Sequence, residues 1–166
     1  MSKIWKIINY NKRYKIKNCL KEINKGNYVA SEWIIDLFKN YKTKLSKKDY
    51  PIQLCRIKVK HLKITKPTEL KKIYSKINKL GYNLVSPEIA LITRLIYKEQ
   101  KKGEWLRFAT PFKSLIDSDG VPHLPKLGKA LNKFFIETYW SYPKAIFHPH
   151  NEFVVIKKNV KKIKNK

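Results

Sequence analysis

Residues 52–81 read IQLCRIKVKHLKITKPTELKKIYSKINKLG, and within this stretch the hydrophobic period changes from two to three-and-four. Cys55, Ile57 and Val59 alternate with Arg56, Lys58 and Lys60, which predicts a strand over Ile52 to His61 with one face on a core. The other face would then carry a row of cations about 7 Å apart, twice the strand rise. Pro67 and Thr68 open a helix with Leu70, Ile73, Tyr74, Ile77 and Leu80 on its apolar side. Gly81 stands where a left-handed residue ends such a helix. Its polar side aims Lys72, Lys76 and Lys79 in one direction.

Outward from this stretch, Ser31 is placed to cap a helix with Ile34, Leu37, Phe38 and Tyr41 on one face, ending near Leu45. Ser86, Pro87 and Glu88 combine a capping side chain, a first-turn proline and an acid at the positive end of a helix dipole. The helix they start, to about Tyr97, is apolar nearly all round and is expected to be central and buried. Arg94 lies on it and needs an acidic partner or a path to water. Beyond Gly103 the segments Trp105 to Thr110, Phe134 to Trp140 and Phe153 to Ile156 have strand composition. The fold expected is α+β: helices in the N-terminal two thirds, packed on a small antiparallel sheet in the C-terminal third. It divides into a basic N-terminal arm (1–28), a single domain (29–157) and a lysine-rich tail (158–166), both ends being disordered when unbound.

The 166 residues carry 38 Lys and Arg against 12 Asp and Glu, a formal net charge of +26. So large an excess calls for a polyanionic partner, nucleic acid first among them. Lys and Asn codons also accumulate in AT-rich genomes, which raises basicity without selecting for binding. Only Arg13, Arg56, Arg94 and Arg107 are arginines. Lysine acts on phosphate as a point charge and arginine forks onto base edges, so backbone contact is expected to outweigh base readout.

Trp5, Tyr10 and Tyr14 sit among Lys12, Arg13 and other lysines of the arm, the mixture that stacks single-stranded bases while holding their backbone. Tyr139, Trp140 and Tyr142 repeat it near the C-terminal end. The nucleic-acid-binding residues expected are Trp5, Lys12, Arg13, Tyr14, Arg56, Lys58, Lys60, Lys72, Lys76 and Lys79. The reading is a non-enzymatic binder of RNA or another single strand, with a ribosome or other ribonucleoprotein as candidate partner.

Enzymatic motifs are scarce. No Walker loop, Gly-x-Gly-x-x-Gly or nucleophile elbow is present, and no cofactor is expected. Asp117, Ser118, Asp119 and Gly120 read as a turn, because Leu115 and Lys126 stand where an EF-hand needs acids. The rival reading is a small metal- or ligand-dependent enzyme. Asp119, His123, His148 and His150 would be its metal ligands, with Asp117 beside them and Arg94 or Arg107 as an anion clamp. A third reading is a regulatory protein of toxin, antitoxin or phage-inhibitor type, acting through a protein partner. Cys19 and Cys55 lack a Cys-x-x-Cys setting, which points to a reducing compartment. With no membrane-span pattern, the expected place is the cytoplasm, an organelle matrix being the alternative.

Gly103-Glu104-Trp105-Leu106 followed by Ile116-Asp117-Ser118-Asp119-Gly120, after a helix bearing Leu91, Arg94 and Leu95, resembles a family of uncharacterised small bacterial proteins. The resemblance covers about Pro51 to Ile156 and implies an architecture and no activity. The lysine-rich ends fall outside it.

Overall fold

The computed structural model describes residues 2–158. The strands are β1 (Ile4–Ile8), β2 (Tyr28–Ala30), β3 (Ile52–Lys58), β4 (Thr68–Glu69) and β5 (Tyr82–Asn83), then β6 (Trp105–Phe108), β7 (His123–Ala130), β8 (Lys133–Trp140), β9 (Ile146–Phe147) and β10 (Glu152–Lys157). The helices are α1 (Ile16–Lys25), α2 (Glu32–Lys39), α3 (Leu70–Lys79) and α4 (Glu88–Ile96).

The α+β class holds, but the small antiparallel C-terminal sheet does not. One eight-stranded mixed sheet, in the order β1-β3-β10-β6-β7-β8-β2 with β5 also paired to β10, draws strands from nearly the whole chain. β10 and β6 pair in parallel, as do β2 and β8; the other pairs are antiparallel. β4 and β9 form a separate ribbon. Local periodicity cannot show this, because strand pairing is a contact between residues far apart in sequence. The segment read as an arm accordingly supplies β1, α1 and the first residue of β2 to the body. Of the lysine-rich tail, 159–166 lie outside the described residues.

Helices cover both faces of the sheet. Cys19 and Ile23 of α1, Ile34 and Phe38 of α2, and Ile89 to Ile92 of α4 pack with Leu54, Leu106, Phe108, Leu127, Ile136 and Val154. On the opposite face, Leu70, Ile73, Tyr74 and Ile77 of α3 pack with Cys55, Ile57, Phe153 and Val155. The change of period in residues 52–81 is thus the alternation of β3 followed by the single apolar stripe of α3. Gly81 takes φ +83° as expected. α4 is buried on every side from Glu88 to Arg94, because it lies between α1 and the sheet.

Ser31 caps α2, its hydroxyl accepting from the Ile34 amide at 3.2 Å. That helix stops at Lys39, short of Leu45, and the amides of Lys44 and Leu45 donate instead to the Glu88 carboxylate at 3.1 and 3.0 Å. β7 escapes a sequence reading because it contains Pro125 and Gly128. Pro125 lies just past the end of the β6 register at Arg107↔Lys126, where no ladder amide is required. Gly128 has its face occupied by the Trp105 ring, which any Cβ would strike.

The two-residue turn joining β7 to β8 places Leu131 at φ +48° and Asn132 at φ +58°. Leucine is strained there by about 1–2 kcal/mol relative to residues that tolerate the left-handed region. Its side chain is 80% exposed and gains little packing in return. Leu131→Asn should therefore stabilise the protein by about 1 kcal/mol, seen as a higher urea midpoint with an unchanged slope. A lower midpoint would show that the Leu131 side chain contributes more than the strain costs.

Candidate nucleic-acid interface

A cleft of about 730 Å³ opens between the β1–α1 connection, α1, the end of α2 and the chain leading to β3. Its walls bear four tyrosines, Tyr10, Tyr14, Tyr41 and Tyr50. Tyr10 meets Tyr50 edge to face at 5.8 Å, and the Lys47 ammonium lies 5.8 Å from the Tyr10 ring centre. Exposed Lys12, Lys15, Lys17 and Lys47 surround them and form no ion pair among the described residues. Lys39 also lines the cleft but sits 2.9 Å from Asp36.

Glu88 is the one carboxylate in these walls, and it is consumed inward. It is 3% exposed and accepts from the Tyr41 hydroxyl and the Ser86 hydroxyl, each at 2.6 Å, as well as from the two amides already described. Burial, then the bond to Glu88, pushes the Tyr41 hydroxyl well above its ordinary value. Burial, with Glu88 next, pushes Tyr50 up to about 12. Both rings stay neutral at physiological pH, so the cleft has apolar, hydroxyl-tipped walls and a cationic rim.

The expected binding residues divide between this cleft and other surroundings. Lys12 and Tyr14 line it, and Arg13 is exposed next to them. Tyr41, Tyr50 and Lys47 were missed, although YKTKLSKKDY at residues 41–50 interleaves tyrosine and lysine as visibly as the arm does.

Trp5 is half-buried, edge-on to Tyr97 at 4.9 Å and 5.3 Å from the Arg56 guanidinium. Arg56 does not stand in a solvent-facing row. Its guanidinium donates to Glu152 at 2.9 and 2.8 Å and to Glu104 at 2.6 Å. Burial alone would lower its pKa, but the bonds and charges of Glu152 and Glu104 outweigh this and hold it above the ordinary value. Lys58 ends β3 half-buried, while Lys60 lies exposed in the following 3-10 turn, so the three cations do not form one strand face.

Lys72, Lys76 and Lys79 do share α3. Lys76 is turned onto the carbonyls of Leu62 and Lys63 at 3.1 and 3.4 Å, and Lys72 is 3.9 Å from Glu69. Only Lys79 of the three has neither kind of contact among the described residues.

The histidines do not converge. His123 is 2% exposed, its Nε2 2.9 Å from Asp117 Oδ2 and its Nδ1 3.3 Å from Thr138 Oγ1, with Trp33 stacked on the ring. Both ring nitrogens are thereby engaged within the fold. His148 and His150 stack on each other with ring centres 5.6 Å apart, and Asp119 is exposed on its turn. Among the described residues no three His, Cys, Asp or Glu side chains are placed to hold one metal ion. The turn reading of 117–120 is realised: Asp117 Oδ1 accepts from the amides of Asp119 and Val121, and Gly120 takes φ +79°. Burial pushes the Cys19 thiol up to about 11 and raises that of Cys55, which leaves both as neutral core groups.

The hydrogen bond from His123, followed by that from the Val121 amide, holds the Asp117 carboxyl below the usual range. A depressed acid stabilises the fold above the unfolded carboxylate pKa of about 3.9. That contribution disappears as pH falls through the lower folded value. Asp117→Asn should therefore flatten the loss of stability below about pH 4, measured as thermal midpoint against pH. An acid limb as steep as the wild type's would remove Asp117 as its source.

Among the described residues no helix is long and apolar enough to cross a membrane. No protein-family model, curated protein or solved structure matches the chain.

Proposed function

We propose that the protein binds single-stranded nucleic acid, RNA in preference, through the tyrosine-lined and lysine-rimmed cleft. The observation that carries this reading is the separation of charges. Four lysines without carboxylate partners among the described residues surround four tyrosines, while the only acid of the walls is turned into the core. Codon drift accounts for many lysines but supplies no reason for this arrangement. Elsewhere Glu104 and Glu152 are likewise held by Arg56, and Glu137 is paired with Lys126, so much of the small complement of acid is spent inside the protein.

Tyrosines offer planar faces to any base, and ammonium groups neutralise phosphates without reading sequence. The chemistry therefore favours unpaired strands over duplex, and composition-tolerant binding over recognition of one site. Within a cell this suits a protein seated on exposed strands of a ribosome or another ribonucleoprotein in the cytoplasm.

The test is fluorescence anisotropy with a 12-nucleotide oligouridylate and a DNA duplex of equal length across a salt series. If the four cleft lysines each neutralise one phosphate, a slope of about 0.7 per contact makes affinity fall roughly fifty-fold between 50 and 200 mM salt. The oligouridylate should bind more tightly than the duplex. Absent binding, or binding indifferent to salt, defeats the proposal.

A further inference from the structure

We propose that the sheet face opposite the cleft carries a second strand-binding surface, so that one molecule holds two nucleic-acid segments at once. This rests on the nucleic-acid reading above and adds bridging to it.

The alternation of the strands separates the two surfaces. Leu106, Leu127 and Ile136 point to the layer of α1, α2 and α4, beyond which the cleft lies. Their sequence neighbours Arg107, Lys126 and Phe135 therefore point the other way. On that side α3 covers Cys55, Ile57, Phe153 and Val155 near one end of the sheet, while Trp105 and Phe135 stand outside its packing cluster and Tyr139 borders it, its ring 5.4 Å from that of Phe147. β6, β7 and β8 thus leave an aromatic platform with no helix on it among the described residues.

The platform is organised around cations. Trp105 lies over Gly128 with its ring 6.1 Å from that of Phe135. Lys126 is held centrally by Glu137 at 3.2 Å, its ammonium 4.6 Å from the Trp105 ring centre and 5.7 Å from that of Tyr139. Arg107 lies 5.9 Å from the Tyr139 ring centre, has no carboxylate partner among the described residues, and its buried Nε finds no acceptor there. Burial depresses its pKa, so an anion placed against it would relieve an unfavourable charge. Tyr139 is 39% exposed and offers a stacking face.

An occupant must be anionic and must present flat groups to Phe135 and Tyr139, which single-stranded nucleic acid does. A second copy of this chain fits badly, since two bodies of net charge +26 repel. Because the two surfaces lie on opposite sides of the sheet, occupancy of one leaves the other free. The consequence is the juxtaposition of two strands, or of two distant parts of one.

A capture assay reads this directly. A biotinylated 12-nucleotide oligouridylate is fixed on streptavidin beads, loaded with protein, washed, and offered a fluorescein-labelled copy that cannot base-pair with it. Wild-type protein should retain the labelled strand. Arg107→Gln/Tyr139→Ala should still load on the beads yet retain less than a tenth as much, and so should Lys12→Glu/Lys15→Glu/Lys47→Glu per molecule loaded. Mixing the two variants should not restore capture, as it would if bridging came from dimers with one active surface each. Wild-type protein that loads but captures nothing overturns the second surface and leaves the cleft standing, whereas failure to load at all overturns both. Capture undiminished in Arg107→Gln/Tyr139→Ala also overturns it. The wild-type arm decides without any variant, so misfolding of a variant does not shield the proposal.

Discussion

Lys12→Glu/Lys15→Glu/Lys47→Glu is expected to lose at least tenfold in affinity for a 12-nucleotide oligouridylate at 50 mM salt, and to lose most of its salt dependence. Each reversal removes one phosphate contact worth about 0.7 in the logarithmic salt slope and introduces a repulsive charge in its place. The slope should therefore flatten by about two units, the remainder coming from Lys17 and from the opposite sheet face. All three lysines are exposed and without ion pairs among the described residues, so the fold should be indifferent. An unchanged thermal midpoint beside lost affinity is the informative combination. If affinity and slope both stay at wild-type values, the cleft is not where the strand binds and general charge suffices.

Arg94→Ala is expected to be the most damaging single substitution for stability. The side chain is fully buried, and its guanidinium donates to Gln100 Oε1 and the Tyr97 carbonyl, each at 2.6 Å, and to the carbonyls of Phe135 and Gly128 at 3.2 and 3.3 Å. It also faces the Phe134 ring at 4.6 Å. These bonds tie the end of α4 to β7 and β8. Two effects compete. Burial lowers the guanidinium pKa to about 10, so at neutral pH the charge is retained at a cost, which alanine would relieve. Alanine would also open a cavity and orphan several buried acceptors at once. Removing one member of a buried charged network commonly costs about 3–5 kcal/mol, and the second effect should prevail. With an m-value of about 2 kcal/mol per molar urea, the midpoint should drop by roughly 2 M. Arg94→Lys should recover only part of this, because an ammonium cannot span acceptors arranged for a planar fork. A midpoint within 0.3 M or so of wild type would mean that water or neighbouring donors satisfy the vacated carbonyls.

The same residue marks how far sequence reasoning reaches. An arginine on an all-apolar helix demands a partner or a route to water, and that dilemma was legible. Its solution, a set of uncharged oxygens from Gln100 and three backbone carbonyls, was not, because those groups come from segments up to forty-one residues away. Arg56 carries the same lesson in the opposite sense. It reads as a solvent-facing cation on an alternating strand, yet the pairing of β3 with β10 brings Glu152 against it and cancels its charge.

The cleft was half visible. Lys12 and Tyr14 declared themselves through the mixture of tyrosine and lysine before α1, and 41–50 repeats that mixture. Nothing local shows that the two runs face each other. That depends on Glu88, which reads as a first-turn acid on α4 and in the fold binds the amides of Lys44 and Leu45 to shape the opposite wall. The open platform of Trp105, Phe135 and Tyr139 is equally a product of strand order.

What the sequence determined by itself is local: the stripe of α3, the cap of α2, the all-apolar girth of α4, the glycine that ends a helix and the turn at Asp117. Each follows from side-chain spacing and backbone preference within a few residues, where the relevant contacts are made. Tertiary structure alone decided the eight-strand order, the recruitment of β1 and β2 from a lysine-rich beginning, and which cations meet carboxylates and which meet solvent. Those outcomes depend on hydrophobic faces and charges brought together across the whole chain, and a one-dimensional pattern holds no record of which distant partner each will find.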